Sequence, residues 1–121
     1  MATLLVVEDS ATEAKILTDC LHQSGFNVIS VTTAEAAKAI LDQKSIDAVL
    51  LDIVLPGQSG FGLCRELKNK QKTAHIPIII CSSKSERIDK NWGMRQGAAA
   101  YITKPINPEE IVQTVRQFVN S

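Results

Sequence analysis

The sequence predicts an α/β fold, a parallel sheet with helices on both faces. Five short apolar runs of strand type alternate with five stretches of helical period along 121 residues. Several runs are apolar at consecutive positions, as strands covered on both faces are. Right-handed crossovers lay the intervening helices on the two faces, giving three layers. A chain of this length is one domain, so residues 1–121 are expected to form a single unit without a separate output module.

The first strand is read at Leu4 to Val7. Ser10 and Glu13 then have the spacing of a capping box, in which each side chain takes up the other residue's backbone N–H. Ala14, Leu17 and Leu21 share the face of that helix until Gly25 stops it. The second strand is Val28 to Val31, and Thr32 with Glu35 repeats the capping spacing ahead of Ala36, Ala37, Ile40 and Leu41. Ala48 to Leu51 is the third strand, after which Ser59 opens a helix with Leu63, Cys64 and Leu67 on one face. Ile78 to Cys81 is the fourth. The next helix is expected over Ser85 to Gln96, with Ile88, Trp92 and Arg95 at helical spacing, Trp92 covering core and Gly97 as the stop. Ala99 to Ile102 is the fifth strand. Asn107-Pro108-Glu109-Glu110 then supplies an N-cap, an N1 proline and an acidic first turn to a helix burying Ile111, Val115, Phe118 and Val119.

Composition narrows the function. Apolar residues are 45% and charged residues 21% of the chain, as in ordinary globular domains. Thirteen Lys plus Arg balance 13 Asp plus Glu, which argues against direct nucleic-acid binding. No apolar stretch approaches the ~20 residues of a membrane span, and the acidic N-terminus lacks a leader's basic region, so a cytoplasmic location is expected. Cys20, Cys64 and Cys81 are odd in number and show no C-x-x-C spacing, so they are read as small buried hydrophobes.

In parallel α/β folds, ligands bind beyond the carboxyl ends of the strands. There the first strand runs into Glu8 and Asp9, the third into Asp52, the fourth into Ser82 and the fifth into Lys104 and Pro105. Asp52 lies between Ala48-Val49-Leu50-Leu51 and Ile53-Val54-Leu55-Pro56, where an unpaired carboxylate is costly. A cation is therefore expected beside it. Three converging carboxylates suit a hard divalent ion, and Mg²⁺ uses one or two carboxylates, waters and phosphate oxygens. Once neutralised, a carboxylate can act as a nucleophile on phosphorus. This assigns Asp52 as phosphoacceptor and Glu8, Asp9, Asp52 and the Val54 carbonyl as metal ligands. Ser82 and Lys104 are left to bind the phosphoryl oxygens.

Five segments in order are Val7-Glu8-Asp9, Leu51-Asp52-Ile53-Val54-Leu55-Pro56-Gly57 with Gly60, Ser82 after an apolar strand, Gly97-Ala98, and Tyr101-Ile102-Thr103-Lys104-Pro105. Together they resemble the response-regulator receiver domains of two-component signalling, of the chemotaxis-receiver type, over essentially the whole chain. The resemblance implies a flavodoxin-like (βα)5 sandwich with strand order 2-1-3-4-5. It implies phosphoryl transfer to Asp52 from a histidine kinase or its phosphotransfer domain, with Mg²⁺ required and Mn²⁺ as a substitute. It further implies a Ser82 and Tyr101 switch, a cis Lys104-Pro105 peptide, and no enzymatic activity beyond the domain's own phosphorylation and dephosphorylation. The output would be a changed protein-binding face on the fourth helix, fifth strand and fifth helix, from a monomer with dimerisation on phosphorylation left open.

Ser82-Ser83-Lys84-Ser85 and Asp89 through Gly97 also resemble the stand-alone receivers of type IV pilus twitching and phototaxis systems. Val54, Ser83 and Ala100 depart from the common receiver pattern without removing a catalytic atom. The alternative is a phosphorylation-independent protein-interaction module of the same fold, which has no need for the whole acidic set. A small aspartyl phosphohydrolase lacks its second acid, since Val54 stands two residues after Asp52.

Overall fold

The computed structural model describes residues 1–119. Its elements run β1 Thr3–Val7, α1 Ala11–Gln23, β2 Asn27–Val31, α2 Ala34–Gln43, β3 Ala48–Leu51, α3 Gly60–Lys68, β4 Ile78–Ser82, α4 Arg87–Arg95, β5 Ala100–Thr103 and α5 Pro108–Phe118. The five strands form one parallel sheet in the order β2-β1-β3-β4-β5. Among the described residues no helix is long and apolar enough to cross a membrane.

The period of two along each strand builds two cores. Leu5, Val7, Val49, Leu51, Ile78 and Ile80 pack with Ala37 and Leu41 of α2 and Leu63 and Leu67 of α3. Leu4, Val6, Ala48, Leu50, Ile79 and Cys81 pack with Leu17 and Leu21 of α1 and Ile111 and Val115 of α5. The central β1, β3 and β4 are therefore apolar at nearly every position, whereas the edge strand β2 is only partly covered. Cys64 and Cys81 are buried in these cores, but Cys20 is partly exposed.

Four local expectations are corrected. The cap of α2 is Thr33, one residue beyond Thr32, its hydroxyl accepting the Ala36 N–H at 3.1 Å. Helix α4 begins at Arg87, with Glu86 as its N-cap and the Glu86 N–H bound to the Asp89 carboxylate at 3.3 Å. Ser85 precedes that cap. Trp92 does not cover core: it is 46% exposed beside Ile88 at 72%, because Gly93 is the residue of α4 that faces the sheet. Phe118, expected inside, is 40% exposed at the last turn of α5, and Val119 beyond it is buried.

Backbone pairing continues past the strands and sets the level of the polar residues that follow. Glu8 N–H donates to the Val31 carbonyl at 3.0 Å, Asp52 N–H to Val7 at 3.1 Å and Lys104 N–H to Ser82 at 2.9 Å. Sequence neighbours of four different strands are thus gathered at one edge of the sheet, where the strand order reverses at β1.

Candidate active site

Desolvation governs the chemistry at this edge. Glu8 is 2% exposed, the Asp52 side chain 10% and the Lys104 side chain 7%. Lys104 Nζ donates to Glu8 Oε1, to Asp52 Oδ2 at 2.9 Å and to Glu13 Oε2 at 2.8 Å. All three ammonium hydrogens thus meet carboxylates, as a buried charge requires. Burial lowers the proton affinity of Lys104, but its hydrogen bonds to Glu13, Glu8 and Asp52 outweigh that and hold the ammonium's pKa well above its ordinary value. Burial raises the Glu8 pKa, with the neighbouring Asp52 charge adding to the rise and the Lys104 and Ser10 hydrogen bonds opposing it.

The loop after β3 shapes the other side of Asp52. Asp52 Oδ1 accepts the Val54 N–H at 3.2 Å, and Val54 itself is 57% exposed at the mouth of the cleft. The chain then turns at Gly57, whose φ of 81° suits a residue without Cβ. It returns so that Gly60 lies against the Asp52 backbone, its N–H bound to the Ile53 carbonyl at 2.7 Å. A Cβ on Gly60 would fall 2.1 Å from the Asp52 carbonyl oxygen. That contact is why glycine stands at the start of α3.

Ser82 is fully buried at the end of β4, its hydroxyl accepting the Lys84 N–H at 3.2 Å. Tyr101 on β5 is half-buried and its hydroxyl donates to the Lys84 carbonyl. Burial pushes the phenol's pKa up. One short loop after β4 thus ties together the two residues expected to form a switch. The Lys104-Pro105 peptide is cis, matching the expectation from the resemblance.

Of the expected site residues, Glu8, Asp52 and Lys104 are in direct contact, and Val54 is bonded to Asp52 through its N–H. Asp9 is exposed and stands outside the carboxylate cluster, which contains Glu8, Glu13 and Asp52 with ligand atoms within 4.8 Å of one another. By its spacing from Ser10, Glu13 is expected only as a capping residue. Half of that expected capping box forms: Ser10 Oγ accepts the Glu13 N–H at 3.3 Å, but the Ser10 N–H goes to Glu8 Oε2 at 3.2 Å and the Glu13 carboxylate to Lys104. The two residues are 91 apart in sequence, so no local pattern signals the pair. The oxygen-rich donor set of the cluster fits a hard divalent cation such as Mg²⁺.

Comparison with known proteins agrees with this geometry. The chain is 41% identical to the protein PilH of Pseudomonas aeruginosa over 95% of each chain. It is 36% identical to the phosphate regulon transcriptional regulatory protein PhoB of the same organism, over 94% of this chain but only half of that protein's length. A putative response regulator of Chloroflexus aurantiacus superposes with a TM-score of 0.93 at 31% identity, covering 97% of this chain and 96% of that one. Residues 4–116 match the response regulator receiver domain, whose members receive phosphoryl groups from histidine kinases and use Mg²⁺ at an acidic site. By its strand order, its strand-end residues and its matched span, this chain belongs to the response regulator receiver domain family.

Proposed function

We propose that Asp52 accepts a phosphoryl group from the phosphohistidine of a histidine kinase or phosphotransfer domain, and that the modified domain signals to another protein. The observation that carries this reading is the Lys104 ammonium, paired with Asp52 at 2.9 Å in a cleft where Glu8 is also bound. A carboxylate oxygen of Asp52 forms the new bond to phosphorus as the phosphorus–nitrogen bond breaks, the electron pair leaving with the imidazole. Lys104 keeps the carboxylate aimed and neutralises charge on the transferring oxygens, and the Ser82 hydroxyl donates to one of them. Glu8 and Asp52 of the carboxylate cluster, joined by the exposed Asp9 and the Val54 carbonyl, would hold Mg²⁺, with Mn²⁺ as a substitute, while Glu13 of the cluster is bound to Lys104. Bound there, the ion supplies a positive field to the phosphoryl oxygens and relieves repulsion among the carboxylates.

Release of the bond between Tyr101 and the Lys84 carbonyl is the first structural consequence, because Ser82 and Tyr101 share the loop after β4. The face formed by α4, β5 and α5 is then redistributed between two states, and a partner that binds one state better reads the phosphorylation. Similarity to PilH, together with the resemblance of Ser82 to Ser85 and Asp89 through Gly97 to receivers of type IV pilus and phototaxis systems, favours a role in pilus motility or phototaxis. Histidine kinase and downstream protein are the partners, with a monomer as the resting state.

Intact mass after incubation with Mg²⁺ and acetyl phosphate tests this. The wild type gains one phosphoryl group, and Asp52→Asn or excess EDTA prevents the gain. A wild type that gains none from this donor or from phosphorylated histidine kinases overturns the reading in favour of a phosphorylation-independent interaction module.

A further inference from the structure

We propose that Glu13 is a positioning residue for this phosphoryl transfer, holding the Lys104 ammonium in the unphosphorylated protein and surrendering it when a phosphoryl group arrives on Asp52. The inference rests on the reading of Asp52 as acceptor. Three observations lead to it. First, Lys104 has three N–H donors and all are taken, by Glu8, Glu13 and Asp52, so none is free for a phosphoryl oxygen. Second, Glu13 is the partner that can leave most cheaply: its side chain is 42% exposed, against 2% for Glu8 and 10% for Asp52. A carboxylate released from there is rehydrated, whereas one released from the floor of the cleft is not. Third, the Glu13 carboxylate is withdrawn from the capping role that its spacing from Ser10 offers, and its place on the Ser10 N–H is taken by Glu8. The Glu13 backbone remains fixed by the Ser10 hydroxyl at the first turn of α1, so its side chain is swung into the cleft from an anchored base.

The chemistry sets a direction. As phosphorus moves towards Asp52, negative charge spreads over its three equatorial oxygens, and Lys104 stabilises that charge only with a donor that it withdraws from another acceptor. Glu13 competes for that donor and raises the barrier, while giving the ammonium a resting position next to its point of use.

Glu13→Gln keeps the side-chain length and the backbone cap and removes the charge, and Glu13→Asp keeps the charge but withdraws it by one methylene. The Lys104 ammonium is observed directly by ¹⁵N NMR of the lysine side chains, assigned by its loss in Lys104→Arg. In the wild type its three acceptors make it slow to exchange with water. Glu13→Gln is expected to broaden or shift that signal and to raise the rate of phosphorylation by acetyl phosphate at saturating Mg²⁺ about two- to fivefold, the effect of one partly exposed charge contact. Glu13→Asp should fall between the two proteins in both readouts. An unchanged ammonium signal in Glu13→Gln overturns the tether, whatever the rate. A changed signal with an unchanged or slower rate overturns the handover. A wild type that is never phosphorylated defeats the reading of Asp52 itself, a failure told apart by an ammonium signal that still responds to Glu13→Gln.

Discussion

Lys104 and Asp52, 52 residues apart in sequence, are joined by an Nζ to Oδ2 hydrogen bond of 2.9 Å because β3 and β5 end at the same edge of the sheet. The ammonium compensates three carboxylates, two of them buried, so its loss leaves them repelling one another. Lys104→Ala is expected to cost about 3 kcal/mol at pH 7, the scale for breaking a buried pair from one side. Chemical denaturation with and without Mg²⁺ checks this, and added Mg²⁺ should return part of the loss.

Glu8 gives the pH dependence. Its folded-state pKa lies above its ordinary value, chiefly through burial, so its protonated form favours the fold. That contribution is fully present below the ordinary carboxylate range and is lost as pH rises through the raised folded value. Glu8→Gln, neutral at every pH, should therefore raise the melting temperature relative to wild type at pH 7, and the advantage should shrink as pH falls towards 4. Melting curves across that range read the sign.

Gly60 tests the loop that carries Asp52. A Cβ there meets the Asp52 carbonyl oxygen at 2.1 Å and the Ile53 Cα at 2.6 Å, both main-chain atoms with no rotamer to escape into. Gly60→Ala is expected to cost about 3 kcal/mol, the upper end for overpacking, and to slow phosphorylation of whatever fraction folds. Denaturation and acetyl phosphate kinetics on the same sample measure both.

Gly93 tests the link between α4 and the tyrosine. Its added Cβ would meet Ile80 Cδ1 at 2.9 Å and the Tyr101 ring at 3.0 Å. The helix gains about 1 kcal/mol of propensity from alanine and loses about 1–3 kcal/mol to crowding, so Gly93→Ala should be mildly destabilising. The displaced Tyr101 also weakens its bond to the Lys84 carbonyl. Emission from Trp92, the single tryptophan and the neighbour of Gly93, should change with the substitution.

What was legible in the sequence follows the range of the interactions involved. Strands β1, β3 and β4 announce themselves by consecutive apolar residues, and the residues that directly follow β1, β3 and β5 fall at the site because parallel strands share an end. Glu8, Asp52 and Lys104 were found in that way. Strand order came with the family resemblance, since alternation alone permits several orders. Thr32 and Thr33 offer the same hydroxyl, and only the turn geometry decides which one caps α2. Trp92 was misplaced because helical spacing gives a stripe without saying which stripe faces the sheet, and the small Gly93 takes that side. The role of Glu13 was hidden because its partner is distant in sequence and its local spacing already had an ordinary explanation.

The account turns on an acyl phosphate at Asp52, and chemical trapping examines that bond directly. The protein is phosphorylated with acetyl phosphate and Mg²⁺, reduced with borohydride and digested for tandem mass spectrometry. Reduction of the acyl phosphate converts the modified aspartate to homoserine. Homoserine at position 52, dependent on the phosphodonor and on Mg²⁺, is the predicted result. A phosphoryl-dependent homoserine at another aspartate, or the longer alcohol that a reduced glutamyl phosphate gives, with residue 52 still aspartate, would contradict the account.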